Sequence, residues 1–259
     1  MIKGWYTAAS GMMTQMSRQD VIANNIANAA TSGYKKQMSL SRAFPDMLIS
    51  RLESTTDLGN PSHNIHTIGR LGTGVGLEEI STDLSVGNLA KTDVPTDFSL
   101  AQTGSYFVVE TEQGERYTRN GAFKINSEGG LTDSQGNPVL DENNRHIMIS
   151  GEFSVDRTGV ISFADGTAAV TLKVLQFDDP QKLQRIGDNL YSNEEGSTMS
   201  ASPASRDILQ GYLESSNVNA IMEMVDLLSV VRAYESLQKV VQAEDETAGV
   251  AIDQVGSTS

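Results

Sequence analysis

The sequence has no cysteine, and aromatic residues make up only 6% of it. Without cysteine, disulfide frameworks and thiolate chemistry are excluded. Basic residues are also scarce, since 19 Lys and Arg stand against 33 Asp and Glu and give a net charge of -14. That balance disfavours nucleic acid as a partner, because phosphate binding needs a basic surface. At 259 residues the chain is long enough for one large domain or two small ones.

Long apolar runs are missing as well. No stretch reaches the roughly eighteen consecutive apolar residues that would indicate a transmembrane helix. The N-terminus carries Lys3, but Thr7, Ser10 and Gly11 interrupt the apolar core that a signal peptide requires. Taken alone, these absences predict a soluble cytoplasmic protein without a transmembrane segment.

Candidates for catalysis or metal binding are few. His63 and His66 have a spacing found in metal sites, but we expect them in a polar loop and they have no cysteine partners. The glycine-rich stretch from Gly72 to Gly76 lacks the lysine and hydroxyl residue of a phosphate-binding loop. The polar run from Asp141 to Asn144 is more typical of an exposed turn than of a cation site. The sequence therefore predicts no catalytic residue, no metal site and no cofactor.

An apolar stripe near the N-terminus predicts a long helix that begins at Ile2 and ends near Ala30. Gly33 and the two hydroxyl residues before it form a plausible C-terminal cap. Steps of three and four residues separate most members of the stripe, which are Ile2, Trp5, Ala9, Met12, Met16, Ala23 and Ile26.

A second apolar stripe predicts another long helix from near Asn217, which continues weakly to Ile252. Its members are Ile221, Met224, Val225, Leu227, Leu228, Val231, Tyr234, Leu237 and Val241. We expect the two helices to pair as a coiled coil. The pattern leaves open whether they pair only within one chain or also pack against other subunits. Residues 1–44 carry five basic side chains against one acidic, and residues 207–259 carry two against nine, which favours association of the two ends.

The middle of the chain changes character twice. Residues 43–97, rich in Pro and Gly, predict an extended linker with a helical turn or two from Phe44 to Leu52 and a short strand or two after Gly74. From residue 98 to 191 the hydrophobic period shifts to two, and turn signals separate short strand candidates such as SYFVVE, HIMIS and GVISF. These features predict a central, antiparallel all-β domain.

The predicted fold is therefore mixed α and β. It has four segments: an N-terminal helical assembly segment, 1–42; an extended linker, 43–97; a central β domain, 98–191; and a polar connector with a C-terminal helical assembly segment, 192–259.

Three asparagines fall near the end of the first helix, where this mediocre helix former is unexpected: Asn24, Asn25 and Asn28. The stretch that contains them, DVIANNIANAATSGYKK from Asp20 to Lys36, resembles the N-terminal signature of the bacterial flagellar rod and hook proteins. GYLESSNVNAIMEMVDLLSVVRAYE, from Gly211 to Glu235, is similar to the C-terminal signature of that family. Interior segments that also resemble the family are YTRNGAF, GNPVL and GDNLY.

The resemblance implies an axial subunit of the flagellar basal-body rod that is not an enzyme and needs no cofactor. Such a subunit self-assembles through its terminal helices and transmits torque for motility. Its implied partners are copies of itself, other axial proteins and the flagellar type III export apparatus. Because the family is exported without a cleaved signal, the expected location becomes the basal body, outside the cytoplasm.

Within the family, the length favours a rod protein over the longer hook protein. MIKGWYTAASGM and EDETAG are typical of the proximal rod member, whereas SNVN and VVRAYE also resemble the distal one. The alternatives are a hook-type subunit and, from another class, a secreted β-domain enzyme or glycan binder. An enzyme would need a cleft with paired titrating groups, which the spacing in the β region does not offer.

On the assembly hypothesis, the asparagine amides fix the register between subunits, because each offers both donors and an acceptor. Alanines beside them allow close approach of helices. The predicted interface residues are Trp5, Met12, Met16, Asn24, Asn25, Ile26, Asn28, Asn217, Ile221, Val225, Leu228, Val231 and Tyr234.

Overall fold

A computed structural model of the chain describes residues 2–55, 62–164, 168–194, 196–200 and 206–256. Within these residues one α-helix lies at each end, α1 at Ile2–Ala27 and α2 at Ala220–Gly256. Both long helices predicted from the apolar stripes are confirmed. Across the described residues, neither helix is apolar enough over a sufficient length to cross a membrane.

Short strands and one turn of 3-10 helix, Pro180–Lys182, fill the chain between the two helices in the described residues. In chain order the strands are β1 Gln37–Ala43, β2 Met47–Thr55, β3 Ser62–Leu71, β4 Val75–Thr82, β5 Leu89–Lys91, β6 Phe98–Leu100, β7 Ser105–Thr111, β8 Gly114–Thr118, β9 Lys124–Ile125, β10 Leu131–Thr132, β11 Phe153–Val155, β12 Val160–Phe163, β13 Val170–Thr171, β14 Val174–Phe177, β15 Gln184–Gly187, β16 Leu190–Ser192, β17 Met199–Ser200, β18 Ile208–Gln210 and β19 Tyr212–Glu214.

The predicted mixed fold and central β region are confirmed. The largest sheet has six strands in the order β15-β16-β8-β7-β14-β17, and its pairs are antiparallel. The candidates SYFVVE and GVISF form β7 and β12. HIMIS, in contrast, makes only isolated bridges, at His146 to Leu140 and at Met148 to Gly130.

The region after β1 differs from its prediction. The helical turns expected from Phe44 to Leu52 are wrong, because β2 occupies this stretch. Strands were also expected only after Gly74, yet β2 pairs with β3 in a long antiparallel ribbon that runs from Met47 opposite Leu71 to Thr55 opposite Ser62. Pairing with β3, the next strand along the chain, overrides the helical preference of Met and Leu. His63 and His66 consequently lie on β3 and not in a loop.

Contacts divide the chain into two compact units. Unit 1 comprises Met1–Ala23, Met38–Ser81 and Ile221–Ser259, and therefore contains most of α1 and α2 together with β1 to β4. Unit 2 comprises Asn24–Gln37 and Thr82–Ala220, which include the last turn of α1, the first residue of α2 and strands β5 to β19.

Three backbone hydrogen bonds form a closed ring in unit 2. The N–H of Leu131 donates to the Ile147 carbonyl at 2.9 Å, that of Ile147 to the Val139 carbonyl at 3.2 Å, and that of Val139 to the Leu131 carbonyl at 2.9 Å. All three side chains are buried and belong to one apolar cluster with Phe98 and Phe107. Because these positions recur every eight residues, the segment is a short structural repeat.

One type of turn recurs in this part of unit 2. Each copy starts at an Asn or Asp whose Oδ1 accepts from the N–H groups two and four residues later, and its fourth residue has positive φ. The carboxylate of Asp141 is therefore engaged by the N–H groups of Asn143 and Arg145. The prediction that residues 141–144 form a turn is confirmed. The starting residues of the four copies are Asn126, Asp133, Asp141 and Asp156.

Candidate assembly interface

Apolar side chains are distributed very differently in the two units. Among the described residues, only four of the twenty-six buried apolar side chains belong to unit 1: Ala8, Val21, Ile22 and Val230. Of the twenty-five exposed large apolar side chains in the same described part of the chain, twenty belong to unit 1, and the five in unit 2 are Val94, Ile125, Met148, Ile186 and Met199. Unit 2 has a core of its own, whereas in unit 1 the exposed large apolar side chains outnumber the buried ones among the described residues.

The predicted stripe of α2 accounts for much of this exposure. Ile221 is 74% exposed, Val225 56% and Leu228 59%. Val231 and Tyr234, farther along the helix, are half-buried. A contiguous apolar face of this kind is uncommon on a monomeric protein.

Helix α1 turns its small residues inward. Ala8, Gly11 and Thr14 are buried, and the Thr14 hydroxyl donates to the Val75 carbonyl at 3.3 Å. The predicted stripe lies on a different side of the helix and is more exposed: Met12 and Ile26 are half-buried, whereas Trp5 and Met16 are exposed.

The two helices meet within unit 1. A methyl group added at Gly11 would lie 3.0 Å from Leu237 Cδ1, and one added at Gly4 would lie 2.6 Å from Glu244 Oε1. The two contacts run in opposite directions along the helices, so α1 and α2 are antiparallel where they touch. Glycine at these positions allows the close approach.

In unit 2, three segments converge where the chain leaves α1 and approaches α2. We call them the root junction, which comprises residues 33–37, 83–88 and 214–217. The Asp83 N–H donates to the Lys36 carbonyl at 2.8 Å, and the Ser215 N–H donates to the Asn88 carbonyl at 2.8 Å. The strand β19, which ends at Glu214, pairs with β5.

Asn25 anchors the last turn of α1 to the root junction. Its amide donates to the Gln37 carbonyl at 2.8 Å and accepts from the Gln37 N–H at 2.9 Å, as a neighbouring strand would. The Tyr34 hydroxyl donates to the same amide oxygen at 3.2 Å, and the Asn25 side chain is only 1% exposed. The prediction of a direct inter-subunit contact for Asn25 is therefore corrected: its amide fixes register within the chain.

The other predicted asparagines are more accessible. Asn24 is exposed, and Asn28 is half-buried with its amide donating to the Asn24 carbonyl at 2.9 Å. Asn217, also half-buried, accepts from the Lys36 N–H at 2.7 Å and donates to the Asp83 carbonyl at 2.9 Å. Asn217 thus binds two segments of the root junction, whereas Asn24 remains on the surface.

A buried cluster of three charged side chains completes the junction. Lys35 Nζ donates to Glu214 Oε1 at 2.5 Å, and Arg119 Nε donates to Glu214 Oε2 at 2.9 Å. Burial lowers the pKa of Lys35, partly offset by the Glu214 carboxylate, which raises that pKa. Two basic side chains thus share a single buried carboxylate.

Sequence reasoning missed this cluster because its members are far apart in the chain and each looks like an ordinary surface charge. It also missed Tyr6 and Met13 of α1, which are 71% and 70% exposed. These two side chains could have been found by treating the whole circumference of α1, and not only one stripe, as a candidate surface.

Three protein-family models match this chain, and together they include most of both terminal helices and part of the central β region. The family described as flagella basal body rod protein matches residues 6–35, and the flagellar basal body rod FlgEFG protein C-terminal family matches residues 209–254. The flagellar hook protein FlgE/F/G D1 domain matches residues 102–163. The chain is 34% identical to the flagellar hook-basal body complex protein FlhO of Bacillus subtilis, over 99% of both chains. The chain belongs to the flagellar basal-body rod protein family.

Other members of the rod protein family align over nearly their whole length. The flagellar basal-body rod protein FlgF of Caulobacter vibrioides is 33% identical over 97% of both chains. The rod protein FlgG of Borreliella burgdorferi is 30% identical over 97% of this chain and 98% of its own. The family predicted from the terminal signatures is therefore confirmed, and the matched regions include Lys35, Arg119 and Glu214.

Proposed function

We propose that this rod-family protein is a structural subunit that self-assembles through unit 1 and transmits torque along the basal-body rod. The observation that carries the proposal is the placement of apolar surface: twenty exposed large apolar side chains in unit 1 against five in unit 2, among the described residues. Burying that surface between subunits would supply the main driving force for association.

The two helices would form the assembling part. In the proposal, the antiparallel contact between Gly11 and Leu237 extends into coiled-coil packing, and the exposed face of α2 is covered by neighbouring subunits. Torque transmission would follow from interfaces between stiff helices, since packed helices resist shear.

The proposed location is the basal body outside the cytoplasm, reached through the flagellar type III export apparatus. The proposed partners are copies of this chain and other axial proteins. This part of the proposal rests on membership of the family, which also favours a rod subunit over the hook-type alternative because the whole length aligns with rod proteins.

A cavity in unit 2 bears on the alternative of an enzyme or glycan binder. Its volume is about 510 Å³. Several lining amides are engaged within the chain: Asn120 accepts from the Ala122 N–H, and Asn189 donates to the Ser32 carbonyl. No group of three metal-ligating side chains occurs in the described ranges. Amides that are engaged within the chain are less available to bind a sugar, which favours the structural role.

Charge placed on the α2 face tests the proposal. We expect the double variant Val225→Asp and Leu228→Asp to abolish assembly while the subunit stays folded, because each carboxylate would be buried unpaired at an interface. Sedimentation velocity and electron microscopy measure assembly, and circular dichroism measures the fold.

The matched control is Met148→Asp, since Met148 of unit 2 is 53% exposed, close to the 56% and 59% of the two tested residues. The control is expected to assemble like the unaltered protein. Undiminished assembly of the double variant would contradict the proposed interface.

A further inference from the structure

We propose that Glu214 is a positioning residue that holds the ends of both terminal helices at one point of unit 2. This role rests on the proposed assembly function, and it consists of fixing the helix ends before subunits associate. It is carried by three segments of unit 2, which contain Lys35, Gly87 and Arg119 and all bind Glu214.

On the side of α1, Glu214 binds Gly33 and Lys35, which lie six and eight residues after the end of the helix. The Glu214 carbonyl accepts from the Gly33 N–H at 2.7 Å. Its carboxylate accepts from Lys35 Nζ at 2.5 Å, and the side chains of both residues are at most 2% exposed. The intervening Tyr34 connects this point to the helix itself through its bond to Asn25.

On the side of α2, Glu214 is the last residue of β19, and α2 begins at Ala220. Asn217, between them, accepts from the Lys36 N–H at 2.7 Å. The chain that enters α2 is therefore bonded directly to the chain that leaves α1.

The segment 83–88 is bonded both to the segment that follows α1 and to the segment that precedes α2. The Gly87 N–H donates to Glu214 Oε1 at 2.8 Å, and Lys35 Nζ also donates to the Ser85 carbonyl at 2.6 Å. A methyl group at Gly87 would lie 1.9 Å from the Ser215 carbonyl oxygen, so the backbones are in direct contact. Only glycine fits here.

The two cations of the cluster have different structural partners. Arg119 is held by the β region: its guanidinium donates to the carbonyls of Gln102 at 2.6 Å and Ser105 at 2.8 Å. Lys35 belongs to the segment after α1. Removing Lys35 leaves Arg119 and Glu214 as a balanced buried pair, so unit 2 should keep its fold. Removing Glu214 leaves two buried cations without their shared carboxylate.

The consequence for assembly is preorganisation. Helix ends that are fixed before association lose less conformational freedom when subunits bind, and the affinity rises accordingly. Glu214 would contribute to assembly although it lies inside the chain and touches no neighbour.

The absence of cysteine makes a distance measurement direct. Spin labels are attached to Ala27→Cys and Asn219→Cys, two exposed positions at the ends of α1 and α2. Pulsed electron resonance then gives the distribution of distances between the labels in the full chain. The variants are Lys35→Met and Glu214→Gln. The control is Glu115→Gln, which removes a carboxylate from an ion pair with Lys173 elsewhere in unit 2.

We expect both variants to broaden the distance distribution and to slow assembly by about tenfold, whereas the control changes neither. Near-UV circular dichroism verifies that unit 2 is folded. If Glu214→Gln fails to fold, the result for Lys35→Met tests the proposal, because that variant retains the ion pair between Glu214 and Arg119.

An unchanged distribution in folded Lys35→Met would overturn the inference, as would loss of the unit 2 fold in that variant. A broadened distribution with normal assembly would refute the link to assembly and leave the proposed function intact. If instead the unaltered protein did not assemble, the proposed function itself would fail.

Discussion

Gly33→Ala is expected to destabilise unit 2 by about 3 kcal/mol or more, among the largest effects of any single substitution in the chain. Gly33 has a φ of +69°, which alanine adopts only with strain. A methyl group there would also lie 2.6 Å from the Arg119 carbonyl carbon and 2.6 Å from the Asn120 nitrogen. Because both contacts are backbone atoms, no side-chain rotation can relieve them. Urea unfolding of the monomer measures the loss.

Gly136→Ala separates the two causes. Gly136 has a φ of +93°, and a methyl group added to it would meet nothing within 4 Å. That variant should therefore show only the cost of the backbone conformation, about 1 kcal/mol. Equal losses in the two variants would show that the close backbone contact of Gly33 with Arg119 and Asn120 contributes nothing to stability.

Asn25→Leu is expected to cost about 3 kcal/mol, because it removes three hydrogen bonds and takes the Asn25 partner away from the partly buried N–H and carbonyl groups of Gln37. Leucine has the same branched shape and the same number of side-chain heavy atoms as asparagine, so the substitution leaves no cavity. The matched control is Asn24→Leu, at an exposed position one residue earlier, where the expected change is within about 0.5 kcal/mol.

Denaturant titration at a concentration where the protein is monomeric provides both values for the asparagine variants. Measurement on the monomer separates the role of Asn25 within the chain from any role in assembly. A monomer of Asn25→Leu as stable as the unaltered protein would disprove the bonding that we assign to this residue.

The helices were predictable because their signal is local. The apolar stripes of α1 and α2 depend only on the 3.6-residue period, and both helices begin and end close to the predicted positions. Which side of α1 faces inward was not predictable. Ala8, Gly11 and Thr14 lie inward because small residues allow close contact, although they are less apolar than Met12 and Met16.

Strands β2 and β3 were missed for a different reason. Their apolar and polar residues do not alternate strictly, and β2 is stabilised by β3, whose residues cannot be matched to it by local pattern. The root junction depends even more on distant residues. Lys35 and Glu214 are 179 residues apart in sequence, so only the folded chain brings them together. The unusual placement of Asn25 was noticed in the sequence, but its partner Gln37 was not.

The central claim is that unit 1 is completed by other subunits, whereas unit 2 is complete by itself. Methionine oxidation tests it directly, because its rate follows the exposure of the sulfur atom. Met222 and Met224 of α2 are 58% and 51% exposed, and Met148 of unit 2 is 53% exposed. In the free subunit the three should be oxidised at similar rates by peroxide, as measured by mass spectrometry.

In assembled rods we expect oxidation of Met222 and Met224 to slow by about tenfold, while that of Met148 stays unchanged. Oxidation of Met222 and Met224 at the same rate in rods and in free subunits would contradict the central claim.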